Sequence, residues 1–300
     1  MISFRMHKGD LEWHWQAYNL KRYYRCNFLC SKCFASKTSD DLLFTNMLDD
    51  AMWRDTHIGN DDFKQNALRF GNLPALCLIE GWSSDTLLWD MMHNLFIGVG
   101  RDVCGAALAR LCERKYYSKS DDVDVHLKVF VAECRKWCLG NRVGMQPPKI
   151  DHLAIGLPEH VGKIPGCSYP ELDVKAASVK LMTMFLASEL YYASLTGDEE
   201  LKTLGTCFYY LASFIWTLQN AGMWLTEPQG DLSYNYGMRF LIVYRHLAAQ
   251  ALGTWTGVIR ACVVGRCLAL WLLLPLQWLL SYAPSINWNG AAAVDVGEHS

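Results

Sequence analysis

Charge is scarce and nearly balanced in this chain: 28 Lys and Arg against 30 Asp and Glu leave a formal net charge of −2 over 300 residues. No chain-wide positive field gathers phosphates, so any nucleic-acid contact has to be local. Internal repeats and low-complexity tracts are missing, and the balance of apolar and charged residues excludes disorder, collagen and simple coiled coil. The opening MISFRMHKGD lacks the apolar core of a signal peptide, so the twelve cysteines are expected to be mostly reduced and intracellular. What remains is an ordinary globular composition, 51% apolar and 19% charged, with length for one large domain or two modest ones.

The few charges are unevenly placed. Residues 1–37 carry seven basic side chains against Asp10 and Glu12, residues 38–62 hold seven Asp against Arg54 alone, and the last fifty residues contain four charges in all. In Ile2-Ser3-Phe4-Arg5-Met6-His7 the apolar residues alternate, which predicts a strand ended by Gly9-Asp10. Helices are expected over Leu11–Tyr24, Leu87–Leu111, Asp121–Leu139, Val174–Leu195, Glu199–Ala221 behind an Asp198 cap, and Leu232–Leu252. Five prolines within 143–173 predict a long loop, with one short strand at Leu153–Ile155.

Three constellations bear chemistry. Asp10, at the end of the predicted strand, is placed either to hold a metal at a strand's C-terminal edge or to cap the next helix. Asp90 and His93 share a helix face at i, i+3; that spacing suits a divalent metal or proton sharing, and equally a buried histidine bonded to its neighbour's carboxylate. Cys26, Cys30 and Cys33 form C-x3-C-x2-C, three zinc ligands that His7, His14 or His57 would complete, or else reduced structural thiols. Around them Tyr18, Lys21, Arg22, Tyr23, Tyr24, Arg25 and Phe28 interleave aromatic and basic groups, a pattern for base stacking and phosphate contact or for an amphipathic helix with snorkelling cations.

Asp90-x-Met92-His93, with Leu95 and Gly98-Val99 behind it, resembles the D-x-M-H signature of CACTA-class (En/Spm-like) DNA transposases. Gly9-Asp10-Leu11-Glu12 followed by Arg25-Cys26-x3-Cys30-x2-Cys33 resembles the segment where the second catalytic Asp of that group leads into a Cys-rich stretch. Tyr169-Pro170-Glu171-Leu172 with Lys175-Ala176-Ala177-x-Val179-Lys180 resembles the helical segment after the signature. The likeness runs from about residue 1 to about residue 250.

The resemblance implies an α/β remnant of an RNase H-like fold with a predominantly α-helical insertion, mostly helical overall. It implies metal-dependent DNA cleavage and strand transfer as the ancestral activity, with Mg2+ or Mn2+ held by carboxylates. Asp10 would be the second catalytic Asp, Asp90 and His93 auxiliary, and Glu189 the nearest helical candidate for the closing Glu, with a solvated surface role as its alternative. The first Asp would lie upstream of Met1, so the chain as written is expected to be inactive. Lys21, Arg22, Arg25, Lys175 and Lys180 would contact DNA, no small-molecule cofactor is expected, and the implied location is nuclear.

The layout expected is a strand, helix and Cys-rich segment (1–37), an acidic connection (38–86), a mainly helical region with the signature (87–255) and an apolar tail (256–300). Within the tail, residues 267–283 hold no charge, at the short limit for crossing a bilayer. The run reads as a membrane anchor on a non-catalytic helical protein, or as a slipped reading frame near Trp255.

Overall fold

The structure, a computed structural model, describes residues 7–254 apart from 10, 23–25, 47, 49, 70, 156–169 and 222–224. Asp10, Arg25 and the tail from 255 onward, with its apolar run, therefore lie outside the described residues. The described chain divides into two compact units, one made of the residues up to Gly100 with those from Gly237 onward, the other of Arg101–Tyr236.

The RNase H-like α/β expectation is corrected by the structure. Among the described residues the strands are β1 (His7–Gly9) and β2 (Leu87–Trp89), three residues each, paired in parallel, besides three isolated bridges. The remaining regular structure is helical. An RNase H-like core needs several strands long enough to cover a hydrophobic face, and two three-residue strands cannot bury one. Residues 87–111 are accordingly not one helix: β2 comes first, then a wide-turn (π) helix over Met92–Gly100 and α3 (Arg101–Glu113). The short strand expected at Leu153–Ile155 is a 3-10 turn, His152–Ile155.

In the first unit α1 runs only over Leu11–Ala17. Asn19 takes the left-handed conformation (φ 51°), and the N–H of Leu20 reaches back to the carbonyl of Trp15 at 3.1 Å. These are the features of a Schellman stop, in which Asn tolerates the turn that other side chains resist. Below it, α2 (Asn60–Arg69) presents Phe63 to Tyr18 and Trp82, with ring centroids at 5.5 and 5.3 Å from Phe63. Leu20, Ile58, Ala67, Cys77 and Leu87 complete this core, so Leu87 ties β2 to it. Burial pushes the Tyr18 hydroxyl up to about 12.

The second unit is a helical pack of α3, α4 (Val123–Gly140), α5 (Ala176–Ser194), α6 (Glu199–Asn220) and the start of α7 (Glu227–Thr254). Asp122 and Asp198 cap α4 and α6 by accepting backbone N–H bonds, Asp198 from Glu200 and Leu201 at 2.9 and 3.1 Å. Phe130 and Phe185 meet at 5.3 Å in its core, flanked by Tyr117 and Trp137. The Glu171–Leu172 stretch lies against α3, where a Cβ on Gly105 would come within 2.5 Å of the Glu171 backbone. Arg101 fastens it, donating from Nε to the Leu172 carbonyl at 3.1 Å and pairing with Asp173.

Candidate strand-end site and cysteine knuckle

The register of the parallel pair is His7 with Leu87, Lys8 with Leu88 and Gly9 with Trp89. The next residues in sequence are Asp10 and Asp90. Asp90 is buried, at 8% exposure, and it organises the turn into the wide helix. Its carboxylate accepts the Met92 N–H at 3.2 Å and pairs with Nδ1 of His93. Its carbonyl accepts the backbone and side-chain N–H of Asn94, both at 3.0 Å. The His93 side chain is 42% exposed, so the pair spans the boundary between core and solvent. Helices of this wide-turn type recur at functional sites, and Gly98 breaks this one with non-helical torsions.

A carboxylate that fixes an imidazole through Nδ1 can orient it toward a proton or a metal. Asp90 and His93 supply two donors of the kinds a divalent ion takes, but among the described residues no three Asp, Glu, His or Cys side chains form a metal-holding group. Glu189 belongs to the second unit, on α5, where it accepts from the Tyr117 hydroxyl at 3.3 Å. Burial raises its pKa above the usual carboxylate value, and nearby Glu133 adds to the effect.

The cysteine segment forms a knuckle. Leu29 N–H bonds the Ala35 carbonyl at 3.2 Å and Lys37 N–H bonds that of Asn27 at 2.9 Å, with a Phe28–Ser36 bridge between the two sides. Cys30-Ser31-Lys32-Cys33 makes its tip. The tip docks on the following segment: Cys33 forms a bridge with His57, and Ile58 N–H bonds the Lys32 carbonyl at 2.8 Å. Of the three predicted zinc ligands, Cys30 and Cys33 flank this tip, and Cys30 Sγ accepts the Lys32 N–H at 3.2 Å. Among the described residues the three cysteines form no metal-holding group. Of the suggested fourth ligands, His14 is buried at the end of α1 and the His57 ring stands 3.5 Å from Asp85.

Arg22, expected to contact DNA, is buried instead. Its guanidinium lies 4.9 Å from the ring centroids of both Phe28 and Phe34 and donates to the Cys30 and Cys33 carbonyls at 3.2 Å each. Burial lowers its pKa from the usual arginine value, opposed by Cys30 and Cys33. Lys21 is exposed, Lys175 is exposed at the start of α5, and Lys180 is half-buried, with its pKa lowered by burial. Lys32, which the sequence reading passed over, is 3% exposed; it donates to the Ser84 carbonyl and stands 3.8 Å from Asp85. Burial draws its pKa down to about 7 against the pull of Asp85. A lysine between two zinc-type cysteines gives no sequence signal of burial, because its partners come from residues 84–85.

No helix among the described residues is long and apolar enough to cross a membrane. No protein-family model, curated protein or solved structure matches the chain.

Proposed function

We propose that this chain is a transposon-derived relative of the DDE transposases that engages DNA without cutting it. The single observation that carries the reading is the parallel register of Gly9 with Trp89, each followed in sequence by an aspartate. Neighbouring parallel strands that end together open onto a ligand crevice, the place where carboxylates hold divalent ions for phosphoryl transfer. The D-x-M-H resemblance falls on the second of these strand ends, with Asp90 fixing His93.

A divalent ion there would activate an attacking oxygen and stabilise a leaving one. This chain's own contribution would be to orient His93 and to hold one side of the ion with Asp90. Opposed carboxylates are needed to fix two ions, and Asp90 with His93 supplies one side only. Of the basic residues in 1–37, exposed Lys21 suits phosphate contact, whereas Arg22 and Lys32 are buried on internal partners.

The test is gel-shift and plasmid-nicking assays on the full chain with Mg2+ or Mn2+. Salt-sensitive duplex binding with neither nicking nor strand transfer is expected. Failure to bind duplex at low salt would remove the DNA role, and nicking that vanishes in Asp90→Ala would overturn the non-cutting role.

A further inference from the structure

Between Val125 and Ile150 the second unit carries Lys128, Arg135, Lys136, Arg142 and Lys149 against a single acidic residue, Glu133. All five cations are exposed. Among the described residues only Lys136 of the five is in an ion pair, with Glu133 at 2.6 Å. On the helical repeat Lys128, Arg135 and Lys136 share one side of α4, turned away from the buried Leu127, Phe130, Val131 and Cys134, with about 10 Å of axis between Lys128 and Arg135. Arg142 follows in the left-handed turn, φ 54°, just past the helix. The chain then doubles back: the His152 N–H reaches the Asp124 carboxylate at 2.8 Å. Lys149, three residues earlier in the chain and so within about 11 Å of His152, returns along α4 toward Lys128.

We infer that this side of α4, with the turn at Arg142 and the returning segment, is the surface that grips the phosphate backbone of duplex DNA. The inference rests on the DNA reading above and names the element that makes the contact. Cations spread along a helix suit a row of phosphates better than a single anion, since a duplex presents a negative charge about every 1.7 Å of its axis. The helix dipole accounts for cations near the C-terminal end of α4, such as Arg135 and Lys136, but not for Lys128 in its first half or Lys149 well beyond its end.

The rest of the face selects against other partners. Its exposed apolar residues are Ala132 and Leu139, without the aromatic anchors on which protein interfaces centre, and Trp137 packs inward on Phe185 with ring centroids 5.8 Å apart. A lipid surface takes up the apolar side of an amphipathic helix, and that side of α4 is already packed in the core through Leu127, Phe130 and Cys134. Asp121 and Asp122 at the start of α4, and Asp151 beside His152, bound the face at one end and repel phosphate there. The backbone contacts therefore centre on Arg135, Lys136 and Arg142.

The test is gel-shift titration of the full chain on duplex DNA from about 50 to about 200 mM salt, with phosphatidylserine vesicles as a second probe. Each phosphate contact contributes about 0.9 to the slope of log affinity against log salt, so Arg135→Gln with Arg142→Gln should flatten that slope by about 2 and weaken binding at least about tenfold. Lys202→Gln, which removes an exposed and paired lysine from α6, should change neither. The single Arg135→Gln, with a slope flatter by about 1, decides if the double variant does not fold. Wild-type binding that the double variant keeps in full would overturn this surface and leave the DNA reading standing. A wild type that binds no duplex would remove both, and one that binds only the vesicles would assign the face to lipid instead.

Discussion

Asp90 carries His93: one carboxylate caps the first turn of the wide helix through the Met92 N–H and holds the imidazole by Nδ1. The two tasks respond differently to mutation. Asp90→Ala loses both, and removing such a cap costs about 0.5–2 kcal/mol. Asp90→Asn keeps an oxygen for the Met92 N–H and should cost less than half of the alanine change. Urea denaturation of both variants checks the order; equal losses would mean that the cap contributes nothing.

Gly105 is where α3 meets the Glu171 backbone, with 2.5 Å available to a Cβ. Backbone cannot swing aside as a side-chain tip does, so Gly105→Ala should destabilise by about 1–3 kcal/mol. Gly144, with nothing within 4 Å of its virtual Cβ, is the control. Gly144→Ala should stay within about 0.5 kcal/mol of wild type. Thermal melts of the pair measure the difference.

Arg22 should matter for the fold. Arg22→Ala removes two charge-assisted bonds to the Cys30 and Cys33 carbonyls and the filling between Phe28 and Phe34, for about 2–4 kcal/mol. Arg22→Lys retains the charge but not the planar fork, and should recover less than half of the loss. Denaturation midpoints decide; an Arg22→Ala variant as stable as wild type would refute the buried role.

His152 and Asp124 give a pH dependence. The Asp124 carboxylate accepts the His152 backbone N–H at 2.8 Å and bonds its Nδ1 at 2.9 Å. That bond raises His152 above 6.5, aided by Asp151 and Asp122, and lowers Asp124 below 3.8, aided by Lys128. A raised histidine contributes stability that is complete below 6.5 and lost as pH climbs through its folded value. A lowered aspartate contributes stability present above 3.8 and lost as pH falls through its folded value. The pair therefore helps most between 3.8 and 6.5. The melting-temperature gap between wild type and His152→Gln should shrink from about pH 6 to about pH 9. A gap that widens with pH would show the sign to be wrong.

The sequence was most informative where structure is local. The Asp198 cap with the helix behind it, and the helix expected over Asp121–Leu139 and found over Val123–Gly140, rest on neighbours in the chain. Asn19 misled because an Asn inside an apolar helical pattern looks tolerable, and only its left-handed torsion shows the stop. The burial of Arg22 and Lys32, and the meeting of Asp124 with His152 across 28 residues, depend on partners brought by the fold, which periodicity does not encode. Asp90 with His93 was legible as a pair because both lie within one turn.

The strand-end site is tested most directly by Mn2+ binding to the full chain, read from water-proton relaxation. The account predicts binding by wild type that weakens at least about tenfold in Asp10→Asn and in Asp90→Asn alike, and that is unchanged in Glu189→Gln, whose carboxyl is bonded to Tyr117. Absence of Mn2+ binding in wild type, or binding indifferent to Asp10 and Asp90, would contradict it.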